Sequence, residues 1–220
     1  MKSIIGPLAL VFAGVAAFPA WSAASAPDRN ASIEEQRRYF TEDQAAPQVQ
    51  PAHYDVTIVE YMDYQCPYCR ATHKPLERLL ATDHKIRVIF RDWPVFGPQS
   101  QHAALIAIAS KYQGKYVAVH NALMETPLPL TEAKTKAAAL KAGVDWAQLQ
   151  RDMSEHADEI ADLFERNEAQ ANMIGLQGTP GFIIGNVQSF GGMTLKQLRE
   201  SVAKARDSRK GESAAMGSRK

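Results

Sequence analysis

Val56-Thr57-Ile58-Val59-Glu60-Tyr61-Met62, then Asp63-Tyr64-Gln65, then Cys66-Pro67-Tyr68-Cys69-Arg70-Ala71-Thr72-His73-Lys74-Pro75-Leu76-Glu77-Arg78-Leu79-Leu80: this stretch decides the fold. Its first part is apolar and rich in β-branched and aromatic residues, the composition of a buried strand. Its last part reads as a helix. Pro67 falls in the first turn, where a missing N–H costs nothing and a fixed φ suits helix entry. Cys66 and Cys69 are the only cysteines in the chain. A cysteine at a helix N-terminus faces unsatisfied N–H groups and the positive end of the dipole, both of which favour thiolate. Cys69, one turn further on, can close a disulfide with it. A thiolate that a neighbouring thiol can resolve is what disulfide exchange requires.

Three chemistries compete for such a pair. A structural staple gains little, because cross-linking so short a loop removes little entropy from the unfolded chain. A four-coordinate zinc lacks a second cysteine pair and would need two histidines from elsewhere. His73, four residues after Cys69, reads as a surface residue at helical spacing. The strand–CxxC–helix context favours redox chemistry, with no metal and no cofactor expected. The alternative from another class is a non-enzymatic carrier that holds a soft ion such as Cu(I) on the same two cysteines. Pro67 and Tyr68 suit that role poorly, and Met62 and His73 are its only ligand-type neighbours.

Working outward towards the start, Met1-Lys2-Ser3 and the apolar run Ile4 to Phe18 precede an Ala24-Ser25-Ala26 cleavage pattern. Residues 1–26 therefore read as a signal peptide, and the run is shorter than the ~20 residues of a spanning helix. Export to the periplasm or beyond suits disulfide chemistry. Loss of Lys2 with this segment balances 24 acidic residues with as many basic ones, which argues against a nucleic-acid partner. Residues 27–52 form a polar leader. Ser32-Ile33-Glu34-Glu35 has capping-box spacing, which predicts a short helix over 33–40, and residues 44–51 read as a linker. The leader reads as flexible, with an oligomerising arm that would make a homo-oligomer as the alternative.

Towards the end, Lys85 to Arg91 alternates charged and apolar residues as a half-buried strand does. Strand, helix, strand at this spacing is a βαβ unit with parallel strands over 53–97. Residues 98–175 read as a run of helices broken at Gly114, at Pro127 with Pro129, and at Gly143. Within them His102, His120 and His156 read as ordinary packed or exposed residues. The sheet resumes over 176–206 with Gly178-Thr179-Pro180-Gly181-Phe182-Ile183-Ile184, a Gly185-Asn186 hairpin turn, Val187 to Phe190, and a helix from Leu195 to Ala205 capped by Thr194. Residues 207–220 read as a disordered tail.

Glu60 to Cys69, together with Gly178-Thr179-Pro180-Gly181-Phe182, resembles the DsbA-like branch of the thioredoxin superfamily. Gly97-Pro98-Gln99-Ser100 and Gln113-Gly114-Lys115-Tyr116 are similar to family sequence too. The Cys-Pro-Tyr-Cys centre with Thr before the proline is similar to suppressor-of-copper-sensitivity C proteins. The likeness covers about residues 53–203. It implies an α/β thioredoxin fold with an inserted helical subdomain and the activity of a thiol–disulfide oxidoreductase. Its substrates would be exported cysteine-containing proteins, and a membrane redox partner would reoxidise or reduce the pair.

The resemblance also implies roles. Cys66 would be the exposed nucleophile, Cys69 the buried resolving thiol and Pro180 a cis residue lying against them. Thr179 would offer backbone groups to an extended substrate, in a groove shared with Pro67 and Tyr68. Glu60 matches the family's buried acid, a proton acceptor for Cys69 if it is not simply salt-bridged. One departure stands out: DsbA-type oxidases carry His where this chain has Tyr68. Losing that donor should leave Cys66 less acidic, and the direction of electron flow open among oxidase, isomerase and reductase.

Overall fold

The computed structural model describes residues 32–217, so the expected signal peptide lies outside the described residues. The chain opens with α1 (Ile33–Thr41) and β1 (Gln48–Val49). Then β2 (Val56–Met62), α2 (Pro67–Thr82) and β3 (Ile86–Asp92) build the βαβ unit, the strands parallel from Val56 opposite Ile86 to Met62 opposite Asp92. Five helices follow: α3 (Pro98–Ala109), α4 (Tyr116–Glu125), α5 (Glu132–Lys141), α6 (Trp146–Glu155) and α7 (Ala157–Met173). The antiparallel hairpin β4 (Gly181–Ile184) and β5 (Val187–Phe190) then leads to α8 (Leu195–Gly217).

The sheet order is β1-β3-β2-β4-β5, with β4 antiparallel to β2. Central β2 is buried at every position but Thr57, so both of its faces are covered. α8 packs on β2, β4, β5 and α2, while α1 packs on β2 and α7 on β3. This is a thioredoxin fold with helices inserted between β3 and β4. Gly185 at φ +59° takes the first position of the two-residue hairpin loop, which few side chains tolerate.

Helix starts follow the sequence signals. Ser32 and Glu35 form the expected capping box, and Thr131, Asp145 and Thr194 each accept the N–H three residues on. Three expectations need correction. The segment read as a linker contains β1, because Phe90 N–H donates to Pro47 O at 2.9 Å and Ala46 is buried. The leader read as flexible is docked on its own domain from α1 to β1. Arg91, fully buried on β3, reaches Asp43 at 2.6 Å and Phe40 O at 3.0 Å, and Gln170 Nε2 donates to Tyr39 O at 2.8 Å. Finally, α8 runs past Ala205 to Gly217 where a disordered tail was expected. Arg206 joins Asp55 and Asp83, each at 2.7 Å, and Arg209 donates to Asp55 O, so polar residues on one face hold the helix to the body.

A buried guanidinium is costly once its carboxylate is removed. Burial opposes the charge of Asp43, but Arg91 and then Arg166 outweigh it and its pKa is lowered. Asp43→Ala is therefore predicted to destabilise folding by about 3 kcal/mol or more at neutral pH. Because the folded-state pKa is depressed, this contribution is present above the unfolded value and fades as pH falls through the folded one. Urea unfolding should show a gap between wild type and variant at pH 7 that narrows in acid; a gap below about 1 kcal/mol at pH 7 would mean the leader is not anchored through this pair.

Candidate active site

The four residues between β2 and α2 are held by Asp63. Its Oδ1 accepts Gln65 N–H and the Ser100 hydroxyl, both at 2.7 Å. Its Oδ2 accepts Val95 N–H at 2.7 Å and Phe96 N–H at 3.0 Å. One buried carboxylate thus ties the end of β2 to the loop after β3 and to the start of α3. The legible signal was an Asp two residues before a turn position, the Asx-turn pattern. Gln65 adds a second tie, donating to Gln99 Oε1 at 2.8 Å and accepting Leu130 N–H at 3.1 Å. Arg70 adds a third, donating to Tyr64 O at 3.1 Å, Leu123 O at 2.9 Å and Thr126 O at the end of α4.

Cys66 is the N-cap of α2, with Pro67 in the first turn as expected. Its Sγ accepts Cys69 N–H at 3.4 Å and lies 3.2 Å from Thr179 O, to which its thiol donates. Both cysteines are free thiols here. Donation from the Cys69 thiol lowers the Cys66 pKa most. Burial opposes it, and Thr179 and the N–H groups of Cys69 and Tyr68 add to the lowering, to about 6. Thr179 Oγ1 is buried with no hydrogen-bond partner among the described residues. Cys69 goes the other way. Burial first, and then the Cys66 sulfur, push its pKa far above the ordinary thiol range. Two thiols one turn apart therefore hold opposite protonation states at neutral pH.

The expectation that Cys66 is exposed needs correction: it is only 1% exposed, because its sulfur is tucked under the Thr179–Pro180 segment. The exposed part of the motif is Pro67 and Tyr68, the latter 68% accessible. The Thr179–Pro180 peptide is cis, and Gly191 N–H donates to Pro180 O at 2.8 Å, pinning that turn to the end of β5. Phe190 lies opposite Gly181 and Phe96 adjoins the Asp63 clamp, and both are exposed. Neither was singled out from sequence, since lone aromatics in a loop and on a hairpin carry no spacing signal.

Glu60 is buried on β2, and Oε2 has no hydrogen-bond partner among the described residues. Burial, then the charge of Asp92, raises its pKa to about 8. Asp92 is a second buried acid, raised by burial to about 7 although Tyr116 and Tyr64 pull it down. Tyr116 Oη donates to Asp92 Oδ2 at 2.8 Å, while Oδ1 has no partner among the described residues. Asp92 follows Phe90, the register partner of Glu60, by two residues and so shares its face of the sheet. His73 and His120 are both buried, so the surface assignment of His73 fails; α2 turns that face inward against α4.

Residues 57–203 match the DSBA-like thioredoxin domain family model. A thioredoxin-like oxidoreductase from Silicibacter pomeroyi is 36% identical, with a TM-score of 0.74 over 78% of this chain and 98% of that one. The thiol-disulfide exchange protein alpha-DsbA2 from Wolbachia pipientis is 26% identical, with a TM-score of 0.73 over 78% of this chain and 92% of that one. Among curated proteins, a Na+/H+ antiporter from Salinispora tropica is 26% identical over 157 residues, 70% of this chain; the chain spans about a quarter (24%) of that relative's length. No helix among the described residues is long and apolar enough to cross a membrane.

The opposed thiol pKa values give a direct prediction. Alkylation of the reduced protein by iodoacetamide should go to Cys66 alone, with a rate midpoint near pH 6. Cys69→Ala removes the largest lowering influence and should move that midpoint upward. A midpoint unmoved by Cys69→Ala would assign the acidity to the helix end and Thr179 instead.

Proposed function

Because the chain belongs to the DSBA-like thioredoxin family, we propose that it is a thiol–disulfide oxidoreductase acting on exported proteins. The observation that carries this reading is the pairing of an acidic thiol at a helix N-terminus with a buried, strongly basic one beside it. In the reducing direction, Cys66 thiolate attacks one sulfur of a substrate disulfide, giving a mixed disulfide and one substrate thiolate. Cys69 then loses its proton and attacks Cys66 Sγ. The second substrate thiolate leaves, and Cys66–Cys69 closes as the disulfide. Oxidation is the same path reversed, and the potential of the redox partner sets the direction.

Each remaining residue has a place in that cycle. Glu60, in its ionised form, receives the proton of Cys69; burial beside Asp92 brings its pKa to about 8, so near neutrality it can both hold and release one. Thr179 presents backbone groups to an extended substrate chain, while Tyr68, Phe96 and Phe190 supply an apolar rim. Substrate engagement must open the cover over Cys66, and the exposed Pro67–Tyr68 edge is where it begins. The signal-peptide pattern supports a site of action outside the cytoplasm, where a membrane protein would renew the redox state of the pair.

Cys66→Ser should abolish catalysed insulin reduction. Cys69→Ser should retain attack but not resolution and accumulate mixed disulfides, visible as dithiothreitol-sensitive adducts on non-reducing gels. Turnover by Cys66→Ser, or adducts formed equally through either single cysteine, would overturn these assignments.

A further inference from the structure

A second cluster of chemistry-bearing side chains lies one to three turns further along α2, away from the cysteines. His73 and Glu77 are four residues apart and so share one face of α2, and Glu125 comes to them from the end of α4. One ligand atom from each of the three can be chosen so that all lie within 4.8 Å of one another. The His73 side chain is only 6% exposed, and its Nε2 has no hydrogen-bond partner among the described residues. That nitrogen points at Glu77 Oε1, 3.7 Å away, too far for a hydrogen bond. A buried ring nitrogen left without a partner is costly unless something else fills its lone pair.

The two carboxylates are already arranged around positive charge. Lys74 Nζ is 2.8 Å from Glu77 Oε2 and also pairs with Glu125. Its side chain is 55% exposed, so the ammonium can swing into solvent and leave both carboxylates to another cation. His120 packs edge-on against His73 with ring centroids 5.2 Å apart, which restrains the ring.

We propose that His73, Glu77 and Glu125 form a binding site for one divalent transition-metal ion of the zinc type, with Lys74 as the cation that it displaces. One imidazole and two carboxylates are a borderline donor set that suits zinc, and three protein ligands leave a position for water. The small shifts needed to bring these atoms to bonding distance fall on Glu77 and Glu125, whose side chains are 34% and 50% exposed. The site is separate from the Cys66–Cys69 pair and uses neither sulfur.

The test uses the full chain with Cys66 and Cys69 oxidised to the disulfide, so that no thiolate can bind the probe. Zinc chloride is titrated calorimetrically into the wild type, Glu77→Gln, Glu125→Gln and Lys74→Ala. All three substituted side chains are partly exposed, and unchanged circular dichroism checks that the variants fold. The wild type should bind one zinc, each Gln variant should bind at least about tenfold more weakly, and Lys74→Ala should bind more tightly. Zinc should also shift the side-chain nitrogen resonances of His73 in the wild-type spectrum. No binding by the oxidised wild type, or equal affinity in both Gln variants, overturns the proposal. So does zinc binding that leaves the His73 resonances in place.

Discussion

Cys66 Sγ can accept the Cys69 N–H only if β2 ends and a helix begins within the few residues between Met62 and Pro67. That abrupt change needs backbone groups satisfied where neither strand nor helix can satisfy them. Asp63 does most of it, taking four donors from three separate segments. Because those donors come from the loop after β3 and from α3, the helical insertion is fixed to the motif and is not an appendage. Removing the clamp would free the helix start, and with it the N–H groups that face the reactive sulfur.

The second half of the constraint is supplied from far along the chain. Thr179 and Pro180 reach Cys66 because β4 pairs with β2, Tyr61 opposite Gly181, which brings the residues just before β4 to the end of β2 where the motif begins. Beneath lie Glu60 and Asp92, two acids that share a face of the buried sheet with few partners. Like charges in a low dielectric resist simultaneous ionisation, so at least one holds a proton near neutrality. Such a pair is a poor stabiliser of the fold and a good proton store.

Most of this architecture was legible in the sequence. β-branched runs, Pro67, the cap at Thr194 and the Gly185 turn are local signals, and each element stands where its signal put it. What escaped was set by tertiary partners. β1 has no strand signal of its own and exists because β3 offers it an edge. The far end of α8 looks polar and tail-like until Asp55 and Asp83 are seen to hold Arg206. At the site, Cys66, Cys69, Glu60, Thr179 and Pro180 were named from the motif and the resemblance. Asp63 and Asp92 were not assigned roles, because their burial depends on which loops close over them. The depth of Cys66 was misjudged for the same reason: helix N-termini are commonly open, and this one is roofed by Thr179.

The central claim is that the environment of Cys66 stabilises its thiolate, and hence the reduced pair, even with Tyr68 in place of a histidine. Equilibration with glutathione redox buffers measures this directly as the reduction potential of Cys66–Cys69. Thiol pKa values of about 7 in thioredoxin and about 3.5 in DsbA accompany potentials of about −270 and −120 mV. A Cys66 pKa of about 6 predicts a value between those limits, less negative than that of thioredoxin. A potential at or below about −270 mV would contradict the account, since the dithiol would then gain no stability from the acidity of Cys66.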